Sequence, residues 1–276
     1  WKGGMSGGYL PRVVLFDLDD TLWDLCATME RAHEAWSAAV RDLPGGAPLA
    51  DAHTDWLSWT DASPAFAAVK RERPDLATDL TLVRREALRV ACLEQGADPE
   101  VLAEPGFVAW TAARNEPVLF EGVLDLLASL RSRGAVLGAV SDGFADLSRI
   151  PEVDGLLDFA VFARDVGVSK PDPAIFRAAL DRAREVLREP CEVQDCVMIG
   201  DSYKKDVLGA RQVGMRAVWL DNPGSFPRQC CGQSGGKEPL ECDARIERIK
   251  ELEDALGMLA AGGAGGAGEL LSGAEG

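Results

Sequence analysis

Five short apolar runs constrain this chain most: Val13–Phe16, residues 135–140, Phe159–Phe162, residues 196–199 and Arg216–Leu220. Most are continuous rather than alternating, which is the pattern of strands covered on both faces in a parallel sheet. Helical periodicity fills the stretches between them. Over residues 122–133, Val123, Leu126, Leu127 and Leu130 share one face, and Gly134 follows. Pro173–Leu187 opens with Asp172 as cap and a proline at the first helical position; its apolar face is Ile175, Phe176, Ala179, Leu180 and Val186. Residues 206–213 read as a helix ending at Gly214, which suits a left-handed cap. Strand and helix in alternation predict an α/β fold with a doubly wound parallel sheet.

Residues 24–116 show no convincing strand. Met29, Ala32, Trp36, Ala39 and Val40 recur at helical spacing, as do Leu80, Val83, Ala87, Val90 and Ala91. This predicts an α-helical domain inserted after the first strand, with Trp23 and Asp24 on one side and Asn115 to Pro117 on the other as its hinges. Residues 11–23 and 117–260 then form the α/β core. Residues 1–10 read as a flexible N-terminal segment, 221–243 as a long Pro/Gly/Cys-rich loop, and 245–259 as a final amphipathic helix carrying Ile246, Ile249, Leu252, Leu256 and Leu259. The Gly/Ala-rich residues 261–276 read as a disordered tail.

The chain has 276 residues, 47% of them apolar and 27% charged, so it can bury a full core. Its net charge of −16 repels nucleic acid polymers and anionic membranes, and no apolar run is long enough to span a bilayer. Seven cysteines without a CxxC pair, and two histidines, argue against a zinc site. They are read as reduced thiols of a cytoplasmic protein, with Met5 as a candidate start and organelle import left open. Oligomeric state is not legible.

Four of the runs end in residues able to carry chemistry. In a parallel sheet, sites form at the carboxyl ends of strands. The first run leads into Asp17-Leu18-Asp19-Asp20-Thr21, the second into Ser141-Asp142-Gly143, and the fourth into Gly200-Asp201-Ser202 with Asp206 beyond it. Lys170 follows the third run in the turn Gly167-Val168-Ser169-Lys170-Pro171. Taken singly, each has a bland alternative: an acidic turn, an N-cap serine, a solvated lysine. Converging carboxylates repel one another, and a bound hard cation with oxygen ligands relieves this, which points to Mg²⁺. Ser141 and nearby N–H groups could bind an oxyanion, and Lys170 would sit as a fixed cation beside the acids.

These four signals, in this order, resemble the haloacid dehalogenase-like (HAD) hydrolase superfamily over about residues 12–220, in the subgroup with an α-helical cap inserted after the first motif. The stretch from Ser141 through Phe176 is similar to small-molecule phosphatases, nucleotidase-like members included. The resemblance implies a Rossmann-like core and a phosphatase acting on a small phosphorylated metabolite. It makes Asp17 the nucleophile and Asp19 the general acid and base. Mg²⁺ would be held by Asp17, Asp201 and the main-chain carbonyl of Asp19, with Asp206 as ligand or close by. Ser141, Asp142 and Lys170 would bind phosphate. Thr21 would order the first turn through its hydroxyl, and Gly200 and Ser202 would support the last motif. A dehalogenase, a phosphomutase and a catalytically silent binding protein are the alternatives; family dehalogenases lack an acid at the position of Asp19. Arg84 and Arg85 lie on a cap helix and could meet an anionic group, with a solvated helix face the preferred reading, and Trp56, Trp59 and Trp110 read as cap core rather than a base-stacking platform.

Overall fold

A computed structural model describes residues 10–60, 63–222 and 242–262, with side chains to residue 259. Nearly all of the N-terminal segment, most of the 221–243 loop with Cys230 and Cys231, and nearly all of the tail lie outside the described residues.

The first strand, β1 (Val13–Phe16), is fully buried. A short hairpin follows, made by β2 (Trp23–Asp24) and β3 (Val118–Leu119), antiparallel with Trp23 opposite Leu119. Between these two strands, among the described residues, lie five α-helices, α1 (Leu25–Arg41), α2 (Gly46–Ala52), α3 (Pro64–Glu72), α4 (Leu80–Glu94) and α5 (Pro99–Arg114), with a 3₁₀ turn at Trp56–Trp59. The chain returns through α6 (Val123–Ser132), β4 (Val136–Ser141), β5 (Phe159–Phe162), α7 (Ala163–Val166) and α8 (Pro173–Leu187). It ends with β6 (Cys196–Gly200), α9 (Gly209–Gln212), β7 (Arg216–Leu220), β8 (Ala244–Ile246) and α10 (Leu252–Gly262).

Six strands form one parallel sheet in the order β5-β4-β1-β6-β7-β8. Side chains alternate across it with period two. Val14 and Phe16 face a core built with α6 and α10, while Val13 and Leu15 face a second core built with α8. This is the doubly wound, Rossmann-like arrangement expected. The order reverses at β1, flanked by β4 and β6, and this opens a crevice beyond its carboxyl end.

The helical insert has its own core of Met29, Trp36, Leu49, Trp59, Leu88, Leu102 and Trp110. Asp24, Asp79 and Asp98 cap α1, α4 and α5 by accepting backbone N–H bonds, as short acids do at N-caps. Gly106 lets α5 settle on α1: a Cβ there would lie 2.7 Å from both Trp36 and Val40. The hinge strands are stitched by Thr28, whose hydroxyl donates to the Asp24 carbonyl at 2.6 Å and accepts from the Val118 N–H at 3.1 Å. The returning strand begins one residue past Pro117, not at Asn115.

Three elements depart from the sequence pattern. The final segment is not one helix over 245–259. Residues 244–246 pair with β7, Leu220 opposite Ile246, because the sheet edge offers hydrogen bonds that outweigh helical propensity. The predicted helix over 206–213 is a π-helical turn at Tyr203–Leu208 running into α9. Val186 on α8 is exposed rather than on its buried face.

Candidate active site

Asp17 leaves β1 with its N–H bonded to the Ile199 carbonyl at 2.8 Å, which locks the end of β1 to the end of β6. Carboxylate oxygens of Asp17, Asp201 and Asp206 lie within 4.8 Å of one another. Lys170 is buried beside them, its Nζ 2.8 Å from Asp17 Oδ1 and 2.6 Å from Asp206 Oδ1. Asp206 itself is fully buried. Its other oxygen accepts the Ser202 N–H at 3.0 Å, and Ser202 caps the π-helical turn that carries it. That widened turn swings Asp206 back against the end of β6, a common use of such turns at functional sites. Gly200 is required there, since a Cβ on it would meet the Asp206 carboxylate at 2.3 Å.

The electrostatics show how crowded the acids are. Asp17 is pushed up to about 7, chiefly by burial and then by the charges of Asp206 and Asp19, with Lys170 opposing. Asp201 is raised well above the ordinary carboxylate value by burial, then by Asp206, Asp17 and Asp20. Burial disfavours the Lys170 ammonium, but Asp17, Asp206 and Asp142 outweigh it and raise its pKa. One lysine does not neutralise three acids. A hard divalent cation fits an all-oxygen cluster of this geometry.

The remaining predicted residues fall around this cluster. Ser141 is buried at the end of β4, its hydroxyl accepting the Gly143 N–H at 3.0 Å. Gly143 lies between Ser141 and Asp19: a Cβ there would be 2.8 Å from Asp19 Oδ2 and 3.2 Å from Ser141 Oγ. The Asp142 carboxylate is occupied on both oxygens, by the Lys170 N–H at 2.8 Å and by Lys205 Nζ at 3.0 Å. It therefore holds the lysine turn in place, and any contact of this residue with phosphate falls to its backbone. The Asp19 carboxylate stands apart from the cation cluster; its Oδ1 accepts from Trp23 Nε1 at 2.6 Å and from Arg114 Nη2. Thr21 is buried, but its hydroxyl has no hydrogen-bond partner among the described residues, so the expected tie to local backbone is not made.

Of the residues that reach the site from the insert, the sequence pattern singles out Arg84 but favours a solvated face for it, and it does not single out Arg114. Arg114, at the end of α5, is 1% exposed and pairs with Asp19 across 95 positions of chain. Arg84, expected on a solvated face, is buried. Its Nε and Nη2 donate to the Trp59 carbonyl, and its guanidinium lies 4.2 Å from the Trp110 ring centre and 4.7 Å from that of Phe144. Arg85 is exposed and pairs with Glu104. Phe144 projects from the loop after β4 into the core of the insert and stacks on Trp110 at 5.2 Å. The one available sequence signal was the four-residue spacing of Trp110 and Arg114, which puts both on one face of α5.

The sequence matches the haloacid dehalogenase-like hydrolases over residues 11–214. The chain belongs to that family. A phosphoserine phosphatase of Thermus thermophilus is 36% identical over 142 residues, or 50% of this chain; the match spans about half that relative's length, 54%. A glyceraldehyde 3-phosphate phosphatase of Pyrococcus abyssi is 31% identical over 76% of this chain and 81% of its own. Among solved structures, a 2-haloacid dehalogenase of Pseudomonas syringae superposes with a TM-score of 0.72 at 28% identity, covering 91% of this chain and all of that one. This protein is thus a HAD-like hydrolase with a helical cap, and an acidic cluster able to hold a cation.

Proposed function

We propose that this HAD-like hydrolase is a Mg²⁺-dependent phosphatase acting on a small phosphate monoester through an aspartyl-phosphate. The observation that carries the reading is Lys170 Nζ seated between Asp17 and Asp206 at the carboxyl edge of the sheet, with Asp201 completing the acidic group.

Asp17, Asp201 and Asp206 would hold the Mg²⁺, which when bound supplies positive charge against the phosphoryl oxygens and so lowers the repulsion between substrate and nucleophile. An Asp17 carboxylate oxygen attacks phosphorus in line while the bond to the leaving oxygen breaks. Asp19 gives its proton to that oxygen, releasing the alcohol. Water then attacks the phosphorus of the aspartyl-phosphate, passes its proton to Asp19, and frees Asp17 and inorganic phosphate. Ser141, the N–H groups of the loop after β4, and Lys170 orient the phosphoryl oxygens. Gly143 leaves Asp19 room beside that loop.

The structural likeness to a 2-haloacid dehalogenase supports a second reading, cleavage of a carbon–halogen bond by the same Asp17. That reaction has no leaving alcohol to protonate and no use for Asp19 as an acid. Release of phosphate from a panel of phosphorylated metabolites, set beside halide release from 2-haloacids, separates the two. We expect Mg²⁺-dependent phosphate release, reduced at least about a thousandfold in Asp17→Asn. Halide release, or full phosphatase activity in Asp17→Asn, overturns the reading.

A further inference from the structure

Two adjacent charged residues on the π-helical turn Tyr203–Leu208 have different surroundings. Asp206 is buried against Lys170, while the side chain of Lys205, one residue earlier, is half-exposed. Lys205 Nζ reaches the Asp142 carboxylate at 3.0 Å, across 63 positions of chain. The other oxygen of that carboxylate accepts the Lys170 N–H at 2.8 Å. One acidic side chain thus ties together the loop after β4, the lysine turn and the π-helical turn, the three pieces that carry Ser141, Lys170 and Asp206.

An acid at this position carries an electrostatic penalty. Asp142 directly follows Ser141, whose hydroxyl and neighbouring N–H groups orient phosphoryl oxygens in the proposed reaction. A carboxylate held beside them repels a phosphate dianion. What it contributes in return is a charge-assisted bond to the Lys170 N–H, which fixes the lysine turn. Lys205 offsets the penalty. Burial disfavours its ammonium, but Asp142, aided by Asp17 and opposed by Lys170, outweighs burial and raises its pKa. The pair is partly open to water, its side chains 50% and 17% exposed. Ion pairs of that kind add little to stability, so the consequence of this one lies in where it places charge.

We propose that Lys205 is a positioning residue for phosphate binding: it neutralises Asp142 and holds it on the Lys170 turn, so that an acidic anchor stands beside the bound phosphoryl group without repelling it. This rests on the phosphatase reading and adds to it a residue outside the acidic cluster. The effect of Lys205 is then conditional on the charge of Asp142. A lysine that donated to phosphate directly, through another of its three N–H groups, would act whether or not residue 142 is charged.

The test is a double-mutant cycle on the full chain. It reads the Kd of inorganic phosphate by calorimetry with Mg²⁺ present, beside KM and kcat for p-nitrophenyl phosphate. Lys205→Met keeps most of the stem and removes the charge. It should weaken phosphate binding and raise KM about tenfold, the effect of one uncovered unit charge at ~10 Å and an effective dielectric of ~20, with kcat changed less than about threefold. Lys205→Arg should recover most of that loss. In an Asp142→Asn background, which keeps an oxygen for the Lys170 N–H, Lys205→Met should cost less than about twofold, within the scatter of independent sites. Thermal melting checks that each variant is folded. An equal cost of Lys205→Met in both backgrounds would make Lys205 a direct phosphate ligand and overturn the inference while leaving the phosphatase reading intact. A cost below about twofold in the wild-type background overturns it in the same way. A wild type that neither binds nor releases phosphate overturns the phosphatase reading, and the inference with it.

Discussion

At the scale of single residues, the site depends on atoms that are absent as much as on those present. Gly200 faces the Asp206 carboxylate with no room for a Cβ. Gly200→Ala should displace Asp206 from Lys170. Overpacking of this kind costs about 1–3 kcal/mol, and phosphate release should fall at least about tenfold with the loss of electrostatic positioning. Thermal melting alongside phosphate assay checks both; wild-type values for each would show that the turn relaxes around the methyl group. Asp142, expected to bind phosphate, has its carboxylate taken up in fixing the Lys170 backbone and Lys205 in one place.

At the scale of elements, the cap and the sheet are joined by few pieces. Phe144 enters the cap core from the loop after β4 and stacks on Trp110. Asn115, at the end of α5, accepts the Asp146 N–H at 2.9 Å from that same loop. The cap already lies on the crevice in this structure, with Arg114 on Asp19 and Phe144 on Trp110. Phe144→Ala should cost about 3 kcal/mol, the lower end for a buried aromatic. It should also raise KM more than it lowers kcat, because the wall of the cavity beside Asp19 is lost while Asp17 and Lys170 stay in place. Steady-state kinetics on the folded variant tests this; an unchanged KM would place Phe144 outside the substrate pocket.

At the scale of the whole molecule, the buried acidic cluster opposes folding, and the proposed cation would relieve it. Asp17 has a folded pKa of about 7 against an ordinary 3.8. Its contribution is therefore most favourable below the unfolded value and is lost as pH rises through about 7. Metal-free protein should melt progressively lower from pH 4.5 to pH 7.5, other groups being equal. Mg²⁺ at a hundred times its Kd should add about 2.7 kcal/mol, or roughly 5–10 °C in a chain of this size. Asp201→Asn removes one of the repelling charges. It should melt higher than wild type without Mg²⁺ at pH 7.5 and gain little from adding it. Scanning calorimetry with and without chelator reads both, and a wild-type response to Mg²⁺ in Asp201→Asn would remove that residue from the cation site.

Much of this was legible in the residues. Buried strands announce themselves as continuous apolar runs, and a parallel sheet delivers whatever follows them to one edge, so Asp17, Ser141, Lys170 and Asp201 could be grouped before any coordinates. Asp206 follows because one turn of chain links it to Asp201. The edge strand Ala244–Ile246 was not legible, since its three residues also fit the helical period of the segment after it and only a neighbouring strand decides between them. Nor were Arg84 and Arg114. On a helix, position relative to neighbours decides whether a charge meets water or a cavity, and those neighbours come from the loop after β4 and from the turn after β1. The sequence by itself determined the sheet, the order of its strands' chemistry and the acidic centre, because strand-end position is a local property of the chain. Only the tertiary structure decided what faces Asp19 from the cap, because that surface is assembled across the hinge from segments nearly a hundred residues apart.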